Sequence, residues 1–384
     1  MNKTCYQINL QQGCGGGEIY TRFFSHALRR LGWQVTLFVH KNAAFWRKLD
    51  MPGVTFIPVD DHDQIHDCLP AERSLFITHS PAIGRLADTL ASRHFLAGFA
   101  HMPLYRRNPR PFSPYRLIFA VSGHVIASLH AAGIEAVHAE PLYGVADLER
   151  SDEPLAPLRA NTVYDWDKRK FRDRLLSHLH PPYFALKPKP VFAKKAGVTL
   201  GIVSRLTPIK QFPLLFSLLA PAIRRFPQVN LEIFGSGGYA SVRDLRHSLA
   251  PIAGQVRWWG HQRDVKAVYP QLDFLLTGLP EKEALGLNVI EAQACGTPVL
   301  AVNAPPFTET VSEGESGYFY ADPRRDQGRD FARLLDELVK AEGQYPDPRQ
   351  ATAHLEQFSL ARFTQRVERA LAAATRLMED GSCR

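Results

Sequence analysis

Four short segments carry residue types whose spacing could do chemistry. In Gly201-Ile202-Val203-Ser204-Arg205-Leu206-Thr207-Pro208-Ile209-Lys210-Gln211 an apolar run ends at Ser204, and two cations follow, five residues apart. Arginine offers a planar fork and lysine a point charge, and both suit phosphate oxygens. A loop after a strand and before a helix is the ligand face of an α/β unit. In Glu283-Ala284-Leu285-Gly286-Leu287-Asn288-Val289-Ile290-Glu291 seven residues separate two carboxylates. On one continuous helix, eight steps separate them by roughly 12 Å and roughly 80°. Glu283 would then lie beside the free N–H groups of Leu285, Gly286 and Leu287, able to meet sugar hydroxyls. The third segment is Gly13-Cys14-Gly15-Gly16-Gly17, ahead of a helix. Its glycines let a diphosphate approach the helix N-terminus, although the spacing is not that of a dinucleotide fingerprint. The fourth is His101, immediately after an apolar run. Each feature also has a plain structural reading: surface cations, a solvated acidic helix face, a ligand-free turn, a packed histidine.

The elements that must position these residues alternate. Strands are predicted at 5–10, 34–39, 75–78, 96–100 and 117–121, with helices at about 18–31, 83–92 and 125–132. The pattern stops near Asp147 and resumes at Val198. It continues with strands 198–203, 229–234, 255–258, 274–276 and 298–302 and helices 213–226 and 284–294, then a last amphipathic helix at about 360–378. Short apolar strands between helices imply parallel βαβ units. We therefore expect an α/β protein of two Rossmann-like, doubly wound domains facing across a cleft. Residues 1–150 form the first, 151–196 a basic connector, and 197–359 the second, with the helix at 360–378 packing back onto the first.

Other residues narrow the chemistry. Asp61-His62-Asp63 and Asp165-Trp166-Asp167 match the DxD pattern that can hold a divalent cation, but such sites need several convergent oxygens, so no metal is expected. There is no HExxH among 15 histidines, and the five cysteines are scattered without a CxxC, which fits a reducing compartment. The 384 residues carry 46 basic and 38 acidic side chains, a net +8. The excess is concentrated: residues 159–195 hold ten lysines and arginines against three acids, and residues 105–116 hold four arginines and no acid. Such patches attract nucleotides, nucleic acid or anionic lipid heads. No nucleic-acid module motif accompanies them, so no nucleic acid is expected. At 45% hydrophobic and 22% charged the composition is ordinary for a globular protein. No apolar run approaches the ~20 residues that span a bilayer. The first residues, MNKTCYQINLQQ, lack the apolar core of a secretory signal. A cytoplasmic location is expected, with attachment at the inner face of a membrane as an extension.

The order of these segments resembles the GT-B glycosyltransferases of the family 4, or group 1, kind. Arg205-Leu206-Thr207-Pro208-Ile209-Lys210 resembles that family's R-x-x-x-x-K phosphate clamp. Glu283 to Glu291 resembles its E-x7-E motif, with Ala284-Leu285 where Glu-Phe or Gly-Phe is common. Phe234-Gly235-Ser236-Gly237 resembles its glycine turn, and Gly15-Gly16 its donor-phosphate loop. His101 matches its strand-end histidine, which contacts the sugar. Leu142-Tyr143-Gly144-Val145-Ala146-Asp147 resembles its NGVD exit, with Tyr143 in place of Asn and Ala146 inserted.

The resemblance implies a retaining, metal-independent transferase using a nucleotide-diphospho-sugar as co-substrate, with no bound cofactor. Arg205, Lys210 and the Gly15-Gly16 amides would stabilise the leaving diphosphate. Glu283 would hold sugar hydroxyls, Glu291 the ribose, and His101 the far edge of the sugar. Gly235, Leu285, Gly286 and Leu287 complete the donor site. The excess basic patches point to a saccharide or lipid-linked saccharide acceptor at an anionic membrane, as in cell-envelope polysaccharide or lipopolysaccharide synthesis. An inverting GT-B enzyme, an epimerase or phosphorylase on the same plan, and a non-catalytic lipid- or nucleic-acid-binding protein remain the alternatives.

Overall fold

Strand and helix alternate through most of the chain because apolar strands need helices to cover both sheet faces. A computed structural model describes residues 3–13, 15–146, 157–162, 171, 174–175, 178–179, 182, 186 and 189–380. The chain divides into two units, residues 1–147 with 356–384, and residues 148–355. The second unit thus includes the stretch 151–196 expected as a separate connector. Asp165-Trp166-Asp167 and most of the expected helix 167–179 lie outside the described residues.

The first unit has strands β1 Thr4–Asn9, β2 Gln34–His40, β3 Val54–Val59, β4 Leu75–Thr78, β5 Phe95–Ala100 and β6 Leu117–Ala120, ordered β3-β2-β1-β4-β5-β6. All five pairings are parallel. Helix α1, Gly16–Arg30, buries Tyr20, Phe23, Phe24, Ala27 and Leu28. Helices α2, Leu86–Arg93, and α3, Gly123–His130, follow β4 and β6. The edge strand β3 had no counterpart in the periodicity. It is half-exposed and contains Pro58, which an edge tolerates because no ladder N–H is needed there.

The second unit has β7 Val198–Val203, β8 Val229–Phe234, β9 Val256–Gly260, β10 Phe274–Leu276, β11 Val299–Val302 and β12 Gly317–Tyr320, ordered β12-β11-β10-β7-β8-β9. Its helices include α4 Phe212–Ile223, α5 Tyr239–Ser248, α6 Leu287–Ala294 and α7 Arg329–Lys340. The last helix, α8 Leu360–Asp380, belongs to the first unit, where Phe363, Val367, Leu371 and Met378 are buried and Arg369 makes a bidentate pair with Glu140 at 2.8 and 2.6 Å. In each sheet the strand order reverses once, between β1 and β4 and between β7 and β10. The crevices at the carboxyl ends of those strands are where such sheets receive ligands. No helix among the described residues is long and apolar enough to cross a membrane.

Candidate active site

The reversal point of the second sheet gathers the predicted clamp. Chain leaving β7 passes Ser204 and Arg205. The close approach of Ser204 to the next strand end requires Gly235, whose φ is 149° and where an added Cβ would lie 1.8 Å from the Ser204 carbonyl oxygen. Leu206 N–H then donates to Ser236 O at 2.8 Å. Arg205 is exposed and has no ion-pair partner among the described residues. A short 3-10 turn, Pro208–Lys210, ends in Gln211 at φ 54°, which redirects the chain into α4. Lys210 makes an ion pair with Glu283, whose side chain is only 13% exposed.

Glu283 is not on a helix, contrary to the expected helix at 284–294. Helix α6 begins at Leu287 because its N-cap, Gly286, has φ 84°, a left-handed conformation that a right-handed helix cannot contain. Glu283 sits in a turn closed by its N–H to Pro280 O at 2.9 Å. The continuous-helix geometry for the two carboxylates therefore does not apply. The N–H groups of Leu285, Gly286 and Leu287 donate to no protein acceptor among the described residues. They surround the positive end of α6, an arrangement suited to anionic oxygens.

Glu291, one turn into α6, accepts from Tyr269 Oη at 2.8 Å. Burial pushes its carboxyl above the usual carboxylate value, against the opposing pull of Tyr269 and Lys210. It faces a cavity of about 160 Å³ lined by Ser204, Arg205, Gly235, His261, Gln262, Tyr269 and Asn288. Asn288 is held by its side-chain N–H to Val203 O at 3.2 Å. The unit thus joins a pocket with a carboxylate, an arginine, a lysine–glutamate pair and three free amides. That set can bind a nucleoside end, a diphosphate and a sugar hydroxyl in succession.

In the first unit, Gly15 caps α1 and its N–H donates to Glu18 at 2.8 Å, so this amide is already engaged. The amides of Gly16 and Gly17 donate to no protein acceptor among the described residues. His101, after β5, contacts His79, after β4, with ring nitrogens 3.1 Å apart. Burial lowers His101 to about 4, and burial together with the neighbouring His101 holds His79 well below the usual imidazole value, so both rings are neutral near pH 7. His79 escaped the sequence reading, although the signal that drew attention to His101, a histidine ending an apolar strand, was present in Phe76-Ile77-Thr78-His79. Asp61 accepts the N–H groups of Asp63 and Gln64 at 3.0 and 3.2 Å, a local turn cap. Among the described residues no three His, Cys, Asp or Glu side chains cluster as metal ligands. In the basic loop 105–116, Arg106, Arg107, Arg110 and Arg116 are exposed, and Tyr105 and Arg106 both have positive φ, 36° and 63°.

Two parallel, doubly wound six-stranded sheets in tandem are the GT-B class of fold. Residues 186–354 match the family model for glycosyl transferases group 1. The chain is 32% identical over 174 residues to the D-inositol 3-phosphate glycosyltransferase of Rhodococcus erythropolis, covering 42% of this chain and 38% of that protein. It is 27% identical over 378 residues to the enzyme of the same name from Frankia alni, covering 84% and 85%. The chain thus spans about two-fifths of the first relatives it matches. Among solved structures, Anabaena Alr3699/HepE in complex with UDP-glucose matches with a TM-score of 0.69 at 17% identity, covering 96% of this chain and 99% of that one, a likeness of fold.

Proposed function

We propose that this protein transfers a sugar from a nucleotide-diphospho-sugar to a hydroxyl of a saccharide or lipid-linked saccharide acceptor, with retention of anomeric configuration and without a metal. The observation that carries the reading is the convergence of Arg205, the Lys210–Glu283 pair and the free amides of 285–287 beside the Glu291 pocket. The nucleoside enters the pocket, and Glu291 accepts from its ribose hydroxyls. Arg205 and Lys210 take the diphosphate, and Glu283 takes a sugar hydroxyl. As the bond from the anomeric carbon to the phosphate oxygen breaks, charge grows on the diphosphate where the two cations already stand. The acceptor oxygen bonds to the anomeric carbon on the same face, and its proton passes to the departing phosphate oxygen. No protein nucleophile is needed. Two cations and helix-end amides supply the neutralisation that a metal would otherwise provide.

The acceptor is anionic or lies at an anionic surface, in the cytoplasm or at the inner face of the membrane. The donor needs only a few cations, which leaves the exposed arginines of 105–116 unassigned. Phe171, Leu175 and Leu179, four residues apart, are 73%, 59% and 58% exposed within the basic stretch, as suits peripheral lipid contact. The relatives' name includes a phosphorylated polyol, D-inositol 3-phosphate. A thermal-shift panel of UDP-, GDP-, ADP- and CMP-sugars tests the donor, since bound ligand adds RT ln(1 + [L]/Kd) to stability. Anomeric coupling in the product, read by NMR, tests retention. No shift with any nucleotide sugar refutes the transferase reading, and an inverted product refutes the mechanism alone.

A further inference from the structure

A chain of buried hydrogen bonds ends at His101. Ser25 Oγ donates its single proton to Thr21 O on α1 at 2.9 Å, so it accepts from Gln7 Nε2 at 2.8 Å. That orients the Gln7 amide with Oε1 toward His79 Nε2, 2.8 Å away. An amide oxygen only accepts, so His79 Nε2 carries its proton. His79 is 8% exposed, stacked on Phe99 at 5.2 Å, and neutral, so its Nδ1 holds a lone pair. The proton in the 3.1 Å contact between His79 Nδ1 and His101 Nε2 therefore belongs to His101. His101 Nδ1 has no protein partner among the described residues.

We propose that His79 is a positioning residue that holds His101 as its Nε2–H tautomer, leaving Nδ1 as an acceptor for a substrate hydroxyl at the reversal point of the first sheet. This rests on the transferase reading above. The geometry selects one ligand chemistry: a group facing Nδ1 must donate, as a hydroxyl does, and a phosphate oxygen is disfavoured there. The Ser25, Gln7 and His79 links come from α1, β1 and β4, so the device is built at the reversal point of the first sheet.

The test uses the full chain with selectively ¹⁵N-labelled histidine, and long-range ¹H–¹⁵N spectra that distinguish protonated from bare ring nitrogens. The His101 signals are those lost in His101→Gln. The wild type should show His101 with Nε2 protonated and Nδ1 bare. His79→Phe keeps the ring stack and removes the acceptor, so the His101 pattern should become a tautomer mixture. Transfer kcat should fall about 10- to 100-fold, by analogy with the loss on removing the hydrogen-bond partner that orients a metal-ligating histidine, with nucleotide affinity unchanged. Gln7→Glu should hold His79 doubly protonated, reversing the contact and forcing His101 to its Nδ1–H form, with a similar loss of kcat. An Nδ1–H tautomer in the wild type, an unchanged His101 pattern in both variants, or an altered pattern with wild-type kcat would each overturn the proposal. Gln7→Glu and the wild-type spectrum keep the test intact should His79→Phe fail to fold. A wild type that turns over no nucleotide sugar refutes the transferase reading instead, and the spectra judge the tautomer independently.

Discussion

The two cations of the clamp differ in what they leave behind when removed, and this separates catalysis from stability. Arg205 is exposed and without an ion-pair partner among the described residues. Lys210 neutralises Glu283, and the two side chains are 21% and 13% exposed. Arg205→Ala should cost about 2–4 kcal/mol of transition-state stabilisation, or about 30- to 1000-fold in kcat/KM, with Tm unchanged. Lys210→Met should cost a similar factor in rate and also strand Glu283. Breaking a fully buried pair costs about 3–5 kcal/mol, and the residual exposure here reduces that to about 1–2 kcal/mol. In a unit of about 200 residues this lowers Tm by about 2–8 °C. Adding Glu283→Gln to Lys210→Met removes the stranded charge, so Tm should return toward wild type while transfer stays lost. Calorimetry and steady-state transfer on the four proteins decide it. Equal loss of Tm in Arg205→Ala and Lys210→Met, or wild-type kcat/KM in either, refutes the reasoning.

Glu291→Gln should weaken nucleotide binding about tenfold, measured by calorimetric titration, since a charged acceptor is replaced by a neutral one. The same variant should melt above wild type at pH 7. Burial raises the Glu291 carboxyl, so the folded protein binds the proton more tightly than the unfolded chain; that contribution is present below the usual carboxylate value and lost as pH rises through the raised one. The advantage should therefore vanish in acid, and a constant gap across pH would refute it. Gly235→Ala forces a Cβ against Ser204 O, so it should cost about 1–3 kcal/mol in urea melts and abolish the nucleotide-induced thermal shift; retention of both would refute the strand-end packing argument. Transfer should persist in excess EDTA, and complete loss restored by Mg²⁺ would revive the acidic pairs as metal ligands. Co-sedimentation should occur with anionic but not zwitterionic vesicles and fade by about 0.5 M salt, where screening shortens to roughly 4 Å; binding to neither, or equally to both, removes the membrane part of the proposal.

What the sequence by itself determined is local. Runs such as Val198–Val203 and Leu117–Ala120 are apolar and short, and the segments between them have helical spacing, so parallel α/β architecture follows from burial on both faces. Arg205, Lys210 and Glu291 were legible because each sits a fixed number of residues from a strand end or along a helix. Tertiary structure decided what depends on residues far apart in the chain. Glu283 left the expected helix because Gly286 takes a left-handed backbone and Lys210, 73 residues away, holds the carboxylate. The amide of Gly15 was taken by Glu18, whose carboxylate folds back to the cap through a helical turn. Edge strand β3 is partly exposed on both faces and β12 is only four residues long, so they carry little periodicity and exist because β2 and β11 offer them a ladder. The His101–His79–Gln7–Ser25 chain joins residues up to 94 positions apart; its components are ordinary in sequence, and only the strand order β1-β4-β5 brings them within hydrogen-bond reach. Backbone propensity acts over a few residues, whereas sheet order is chosen by the whole hydrophobic core. Residue types were therefore readable in advance, while the protonation pattern and partners that give them their chemistry were not.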